Sequence, residues 1–275
     1  MKLNQKFQLV STPLGTIAIN EYANSGEDLV LLHGNSACSK SFDLLALELA
    51  EHFHLYIVDL PGHGLSSKCD HYNLLTMSEA ISIALLKLKV HCPHLLAHSL
   101  GGHVATHLSA LMDSKSLTLL GYAPLNPFKK VSDIYNFDLK EAMLYCFESA
   151  SYNDLKNLYQ ISHFVKSDES LKQFTTDYKN TDPKFRGLFT QSVGEGKFLN
   201  EYEILKKLPY KVDILMGEFD QQLMWNYLSE INSDKIRVQK VANSSHYVQS
   251  DNPRQVKETL LEKIKIQAHS VNASL

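Results

Sequence analysis

The chain has 275 residues, 44% apolar and 21% charged, enough for one large α/β core with an insertion and no need of metal or disulfide staples. Its net charge of −3 offers no basic face, which argues against nucleic acid and anionic lipid as partners. No run of about 18 apolar residues reads as a membrane span, and residues 1–6 lack the apolar stretch of a secretory leader.

Residues 6–11 and 14–21 read as two strands parted by the turn-forming Thr12-Pro13, with Gly15 early in the second. Residues 28–32, Asp-Leu-Val-Leu-Leu, form a short unbroken apolar run, which suits a strand buried on both faces of a parallel sheet. His33-Gly34-Asn35-Ser36 follows at once. Such a loop is either a plain Gly/Asn turn or a source of backbone N–H groups for an oxyanion. Residues 41–52 are mostly apolar at helical length, and 53–60 form another buried strand closed by Pro61-Gly62-His63-Gly64. Residues 76–88 repeat the helical pattern through Met77, Ala80, Ile81, Ala84, Leu85 and Leu88.

Residues 94–97 are the next strand, and they run into His98-Ser99-Leu100-Gly101-Gly102 before a helix over about 100–111. A serine on so sharp a strand-to-helix turn sits in strained backbone, so small residues are needed two places before and after it. Ala97 stands where a glycine is usual, yet alanine is small enough. The plainer reading of a serine here is a helix N-cap. Residues 116–120 add one more strand. Strand and helix alternate throughout this half, the mark of a parallel sheet with helices on both sides.

From Phe128 to about Asn200 the pattern turns to helices and loops with no buried strand, an insertion that reads as a lid over the active-site edge. Strand character returns at 212–216 and 236–241, a final amphipathic helix covers 255–266, and the polar tail from 267 to 275 is expected to fray. The first of these strands ends in Gly217-Glu218-Phe219-Asp220, and Asn243-Ser244-Ser245-His246 follows the second. Serine is inert near neutral pH. It needs a base within hydrogen-bond reach, and the base needs a carboxylate to hold its tautomer. His246 is the candidate base. Glu218 and Asp220 compete for the carboxylate, and Asp220 is favoured because an acid must clear the strand end to reach a histidine. The order Ser99, Asp220, His246 is that of a nucleophile elbow with its acid and histidine.

Other features have blander readings. Of the 13 histidines, His33 and His63 are expected to brace their turns and His98 to pack behind the nucleophile, while His91, His94 and His103 have no partner legible in the sequence. Asp213 reads as a strand-start residue that caps or meets solvent, and Trp225 as core. Tyr145, Phe147, Tyr159 and Phe164 either line an apolar pocket or form the core of the lid. No His or carboxylate pair has metal-ligand spacing, so neither metal nor cofactor is expected. Cys38, Cys69, Cys92 and Cys146 are scattered and read as free thiols of a reducing compartment, hence a cytoplasmic enzyme.

Taken in order, Leu-His-Gly-Asn, Asp-Leu-Pro-Gly-His-Gly, Ala-His-Ser-Leu-Gly-Gly, Gly-Glu-Phe-Asp and Ser-Ser-His resemble the α/β-hydrolase superfamily over nearly the whole chain outside the insertion. The resemblance implies an α/β fold with an eight-stranded, mostly parallel sheet and helices on both faces. It divides the chain into a core of residues 1–126 and 200–275 and a helical lid of residues 127–199. It also implies an acyl-enzyme on Ser99, with the oxyanion held by the backbone N–H groups of Asn35 and Leu100. Serine at the elbow excludes branches that attack with a carboxylate, and the loop at His33 lacks the glycine run of one esterase and lipase group. His33-Gly34-Asn35-Ser36-Ala37-Cys38 is similar to a branch that opens N-acyl homoserine lactones, in which an acid stands three residues after the glycine, as Asp220 does after Gly217. The expected substrate is a small acyl compound, with ester cleavage as the main reading. Lactone opening, and lyase or synthase chemistry on the same three residues, remain alternatives. A non-catalytic binding module is disfavoured because all three residues are present.

Overall fold

Strands β1 (Asn4–Thr12) and β2 (Gly15–Ala23) open the chain as an antiparallel pair, joined at Thr12–Gly15. The computed structural model describes residues 4–272. Residues 1–3, the start of the segment searched for a leader, and residues 273–275, the end of the tail expected to fray, lie outside the described residues. Then come β3 (Glu27–Leu32), α1 (Asp43–Leu49), β4 (Phe53–Val58), α2 (Leu74–Lys87), β5 (His94–His98), α3 (Leu100–Leu108) and β6 (Ser116–Leu120). Between β6 and the next strand lie α4 (Val131–Ile134), α5 (Tyr152–Ser162), α6 (Asp168–Asn180), α7 (Pro183–Gly194) and α8 (Glu201–Lys207). The chain closes with β7 (Val212–Gly217), α9 (Trp225–Ile231), β8 (Ile236–Val241), α10 (Val248–Asp251) and α11 (Pro253–Asn272).

The eight strands form one sheet in the order β1-β2-β4-β3-β5-β6-β7-β8. β2 meets both neighbours antiparallel, and every pairing from β4 to β8 is parallel. The side chains of β3 alternate between two cores. Val30 and Leu32 join the cluster holding α2 and α3, whereas Leu29 and Leu31 join the one holding α1 and α11. A strand with both faces buried has no regular polar face, which is why residues 28–32 read as a nearly continuous apolar run. β3 also stands where the winding reverses: β4 lies on one side of it and β5 on the other. The loops leaving the C-terminal ends of β3 and β5 therefore part there and open a crevice between them.

The helices of the insertion are capped by their own sequence. Ser151 and Asp154 form a reciprocal box at α5, Ser167 accepts from Ser170 N at α6, and Asp182 precedes Pro183 at the first position of α7. Three local expectations change. The helix expected over 41–52 is α1 with a short 3-10 turn, Ser39–Phe42, ahead of it. α11 continues through Asn272, past the point where fraying was expected. Asp213 is buried rather than solvated, because Arg237 Nε (2.6 Å) and Lys263 Nζ (2.8 Å) close on it from β8 and α11.

Glycine is required where α3 crosses β3. A Cβ on Gly101 would lie 2.2 Å from the backbone oxygen of Leu32, which cannot swing away. Gly→Ala inside a helix ordinarily gains about 0.5–1 kcal/mol. Gly101→Ala is expected instead to lose about 2 kcal/mol through overpacking. Gly194→Ala, with nothing within 4 Å of the added carbon, is expected to hold or gain stability. Urea unfolding of the two variants side by side checks both signs.

Candidate active site

The turn after β5 places Ser99 at φ 50°, ψ −117°, a left-handed conformation that costs a non-glycine residue roughly 1–3 kcal/mol. Its amide donates to Leu120 O on β6 at 2.9 Å, so the strain is held by the sheet itself. Ser99 is the residue before α3, but its hydroxyl caps nothing there. It lies 3.1 Å from His246 Nε2 instead. The N-cap reading of this serine therefore fails.

His246 Nδ1 lies 2.9 Å from Asp220 Oδ2, and the other Asp220 oxygen accepts from Gln222 N at 2.8 Å. Facing a carboxylate, Nδ1 carries the proton and Nε2 is left as an acceptor for the serine O–H. Asp220 and His246 are both buried. Glu218 is exposed and reaches only the Asn243 amide, at 3.4 Å. The strand-end argument for Asp220 has its physical basis here: Asp220 N turns back to Gly217 O at 3.1 Å, and that turn carries the side chain off the end of β7. Glycines let the loops meet. A Cβ on Gly217 would lie 1.9 Å from Ser245 O, and one on Gly121 2.8 Å from His246 O.

Asn35 and Leu100 line the same cavity as Ser99 and His246, with a volume of about 350 Å³. A Cβ on Gly34 would lie 3.3 Å from Ser99 Cβ, so the Asn35 loop runs directly against the serine. His63 braces that loop by accepting from Ser36 N at 3.1 Å, and His33 accepts from Leu60 N at 3.0 Å. Burial lowers the pKa of both rings, which keeps them neutral and able to accept.

Several supports have no signal in the sequence. His98 Nε2–H donates to the backbone oxygen of His246 at 2.9 Å, so it holds the base as well as packing behind it. Burial pushes its pKa well below the usual imidazole value, which fixes that neutral donor. The histidine loop is also tied to the insertion. Ser245 Oγ donates to Ile161 O (2.6 Å), Tyr247 N to Ser162 O (3.0 Å), and Asp251 accepts from Phe164 N and Val165 N. Arg186, buried in α7, donates to Phe147 O, Glu148 O, Tyr178 O and Ser36 Oγ, the last at 3.0 Å. Its guanidinium lies 3.9 Å from the centre of the Tyr178 ring. One side chain thus joins the insertion to the Asn35 loop.

The four insertion aromatics divide. Tyr145 lines the cavity, Tyr159 is buried in a cluster with Leu158, Phe174 and Tyr247, and Phe147 and Phe164 are exposed. Trp225 packs half-buried against the core. His94 and His103 do have partners: Glu27 and Ser116 for the first, Glu201 and Tyr135 for the second. Among the described residues, no three His, Cys, Asp or Glu side chains converge as a metal site, and no helix is long and apolar enough to cross a membrane.

Residues 29–253 match the family model described as alpha/beta hydrolase fold. A pimeloyl-[acyl-carrier protein] methyl ester esterase of Aeromonas salmonicida is 38% identical over 105 residues, 38% of this chain and 40% of that protein. The match to the same-named protein of Nitrosomonas europaea is 39% identical and spans 32% of this chain and 34% of that one, so the chain spans well under half of these esterases. Monoacylglycerol lipase ABHD6 of Mus musculus is 25% identical over 253 residues, 85% of this chain and 74% of the lipase. Among solved structures, N-acyl homoserine lactonase AidH with N-butanoyl homoserine superposes at TM-score 0.87 with 20% identity, over 95% of this chain and 97% of that one. An esterase from Exiguobacterium antarcticum gives 0.79 with 21% identity, over 94% and 100%. At such identities these two likenesses speak to the fold.

Proposed function

The chain belongs to the α/β-hydrolase family, and from that premise we propose that it is a serine hydrolase cleaving carboxylic esters through an acyl-enzyme on Ser99. The observation that carries this reading is the line Asp220 Oδ2, His246, Ser99 Oγ, with separations of 2.9 and 3.1 Å, drawn from three loops at one sheet edge. In the cycle, Ser99 attacks the carbonyl carbon while His246 Nε2 takes its proton. Asp220 stabilises the imidazolium that forms. The tetrahedral oxyanion is held by the N–H groups of Asn35 and Leu100, each such donor being worth about 3 kcal/mol of barrier. His246 then protonates the leaving alcohol and activates the water that frees the acid.

In this reading the helices of residues 127–199 are the lid and the rest of the chain the catalytic core. The lid's contribution to the cavity, including Tyr135, Tyr145 and Phe189, supports an acyl group as the buried part of a small-molecule substrate. The names of the esterase relatives support the ester bond as the one cleaved. Four free cysteines suit a reducing compartment and so support a cytoplasmic enzyme. A cyclic ester is the second reading. It is favoured by the Asp220 position three residues after Gly217 and by the fold likeness to a lactonase.

The test is intact-mass spectrometry after a serine-directed fluorophosphonate, alongside release of nitrophenol from a chain-length series of esters. One adduct, mapped to Ser99, and steady turnover are expected. No adduct on Ser99 would sink the hydrolase reading, and an adduct without ester turnover would favour lyase or synthase chemistry. Acid release from unsubstituted and acylamino γ-butyrolactones, followed by pH-stat, decides whether cyclic esters are opened.

A further inference from the structure

A second acid–imidazole–hydroxyl chain reaches the same cavity and has no part in the steps above. His103 lies on α3, four residues after Ser99 in the chain. Its Nδ1 is 2.8 Å from Glu201 Oε2, and its Nε2 is 2.5 Å from the hydroxyl of Tyr135. Both His103 and Tyr135 line the cavity. Glu201, at the start of α8, has no exposed surface and also accepts from Tyr122 Oη (2.9 Å) and Leu125 N (2.7 Å). Its oxygens take hydrogen bonds from His103 Nδ1, Tyr122 Oη and Leu125 N together, which leaves no room for a proton of its own. It is therefore a carboxylate and can only accept.

A neutral His103 ring has one N–H to give. Nδ1–H of His103 is given to Glu201, which leaves the Nε2 lone pair toward Tyr135, and the phenol O–H donates to it. The tyrosine proton is thus committed inward, and its oxygen has lone pairs to spare. A buried carboxylate is a costly way to join two helices, since apolar contacts do so without desolvating a charge. The cavity that Tyr135 lines is largely apolar, with Leu100, Leu125, Val131, Phe189, Val193 and Leu223 in its wall beside a few polar side chains such as Asn136, Thr190 and Gln222. An acceptor on a largely apolar wall selects for a donor on whatever fills the space.

We propose that Tyr135, held by His103 and Glu201, is a specificity-determining residue that accepts a hydrogen bond from the substrate's acyl part, so that the preferred substrates are esters or lactones bearing a hydroxyl or amide N–H near the scissile carbonyl. The inference rests on the ester-cleavage reading. His103 is a positioning residue in it, acting only through Tyr135.

The experiment compares 4-nitrophenyl hexanoate with its 2-hydroxy and 3-hydroxy derivatives and the corresponding methyl ethers, which keep the oxygen but lose the donor. At least one hydroxy ester is expected to exceed its ether in kcat/KM by about tenfold, the size of one neutral hydrogen bond. Tyr135→Phe is expected to bring that ratio to near one, and His103→Gln to reduce it. Because each ratio is taken within one preparation, a partly folded variant does not distort it. Equal rates for every hydroxy–ether pair in the wild type, or a ratio that survives Tyr135→Phe, overturns the inference while turnover of plain hexanoate leaves the hydrolase reading standing. No turnover of any ester, with no adduct on Ser99, removes both.

Discussion

Replacing Ser99 with alanine is expected to lower kcat for a good ester by about 10⁶-fold, because nucleophile, base and acid act as one unit and losing the first leaves only oxyanion binding and proximity. A non-catalytic reading would have this hydroxyl cap α3, but it makes no such bond and faces His246 Nε2 at 3.1 Å. Its removal therefore breaks no structural bond except the one to the base. Thermal stability is expected to stay near that of the wild type, since alanine has to adopt the same φ of 50°. Ser99→Gly, free of that steric cost, is expected to lose activity equally and melt higher, the gain being about 1 kcal/mol. Steady-state kinetics with active-site titration and calorimetry on the three proteins check this. Alanine-variant turnover within a hundredfold of wild type would mean that another group carries the attack.

The second large effect is expected at the acid. Asp220→Asn should cost about 10⁴-fold in kcat, the scale seen when an orienting carboxylate becomes an amide with its geometry kept. The reason is tautomeric. The carboxylate accepts a hydrogen bond from His246 Nδ1–H at 2.9 Å, which leaves Nε2 free to accept from Ser99. An amide can turn its NH₂ to Nδ1 and so put the proton on Nε2, where it faces the serine and blocks the base. Glu218→Gln serves as the control. Glu218 is exposed, two residues from Asp220, and reaches only the Asn243 amide, so its loss should change kcat by less than about twofold. A pH–rate profile of both variants separates the cases. The Asp220 variant should recover some rate at high pH, where hydroxide substitutes for the missing base, and the Glu218 variant should follow the wild type.

Much of this arrangement is legible along the chain. The largely apolar runs at 28–32, 94–97 and 116–120 announce a sheet covered on both faces, since a strand buried twice has no polar face to alternate with its apolar one. The serine turn, the acid loop and the histidine loop are legible for a related reason. Each sits within a few residues of a strand end, and strand ends at one edge of a parallel sheet converge whatever lies between them. Ser99, Asp220 and His246 can therefore be picked out from order and local chemistry, and Asp220 preferred to Glu218, before any contact is known.

What stays hidden depends on distance in the chain. Asp213 reads as a strand-start residue that caps or meets solvent, yet Arg237 arrives from the next strand and Lys263 from the last helix of the chain. His98, His103 and Arg186 find partners 148, 98 and 150 residues away, and no local pattern encodes which histidine meets a carboxylate and which a carbonyl. Periodicity and turn chemistry are properties of neighbours, so the sequence by itself determined the architecture and brought out the three residues proposed to react. How the insertion seats against the sheet, and so which hydroxyl and which apolar side chains wall the cavity, was decided only by tertiary packing, because long-range pairs are selected by the sum of many weak contacts rather than by any one segment.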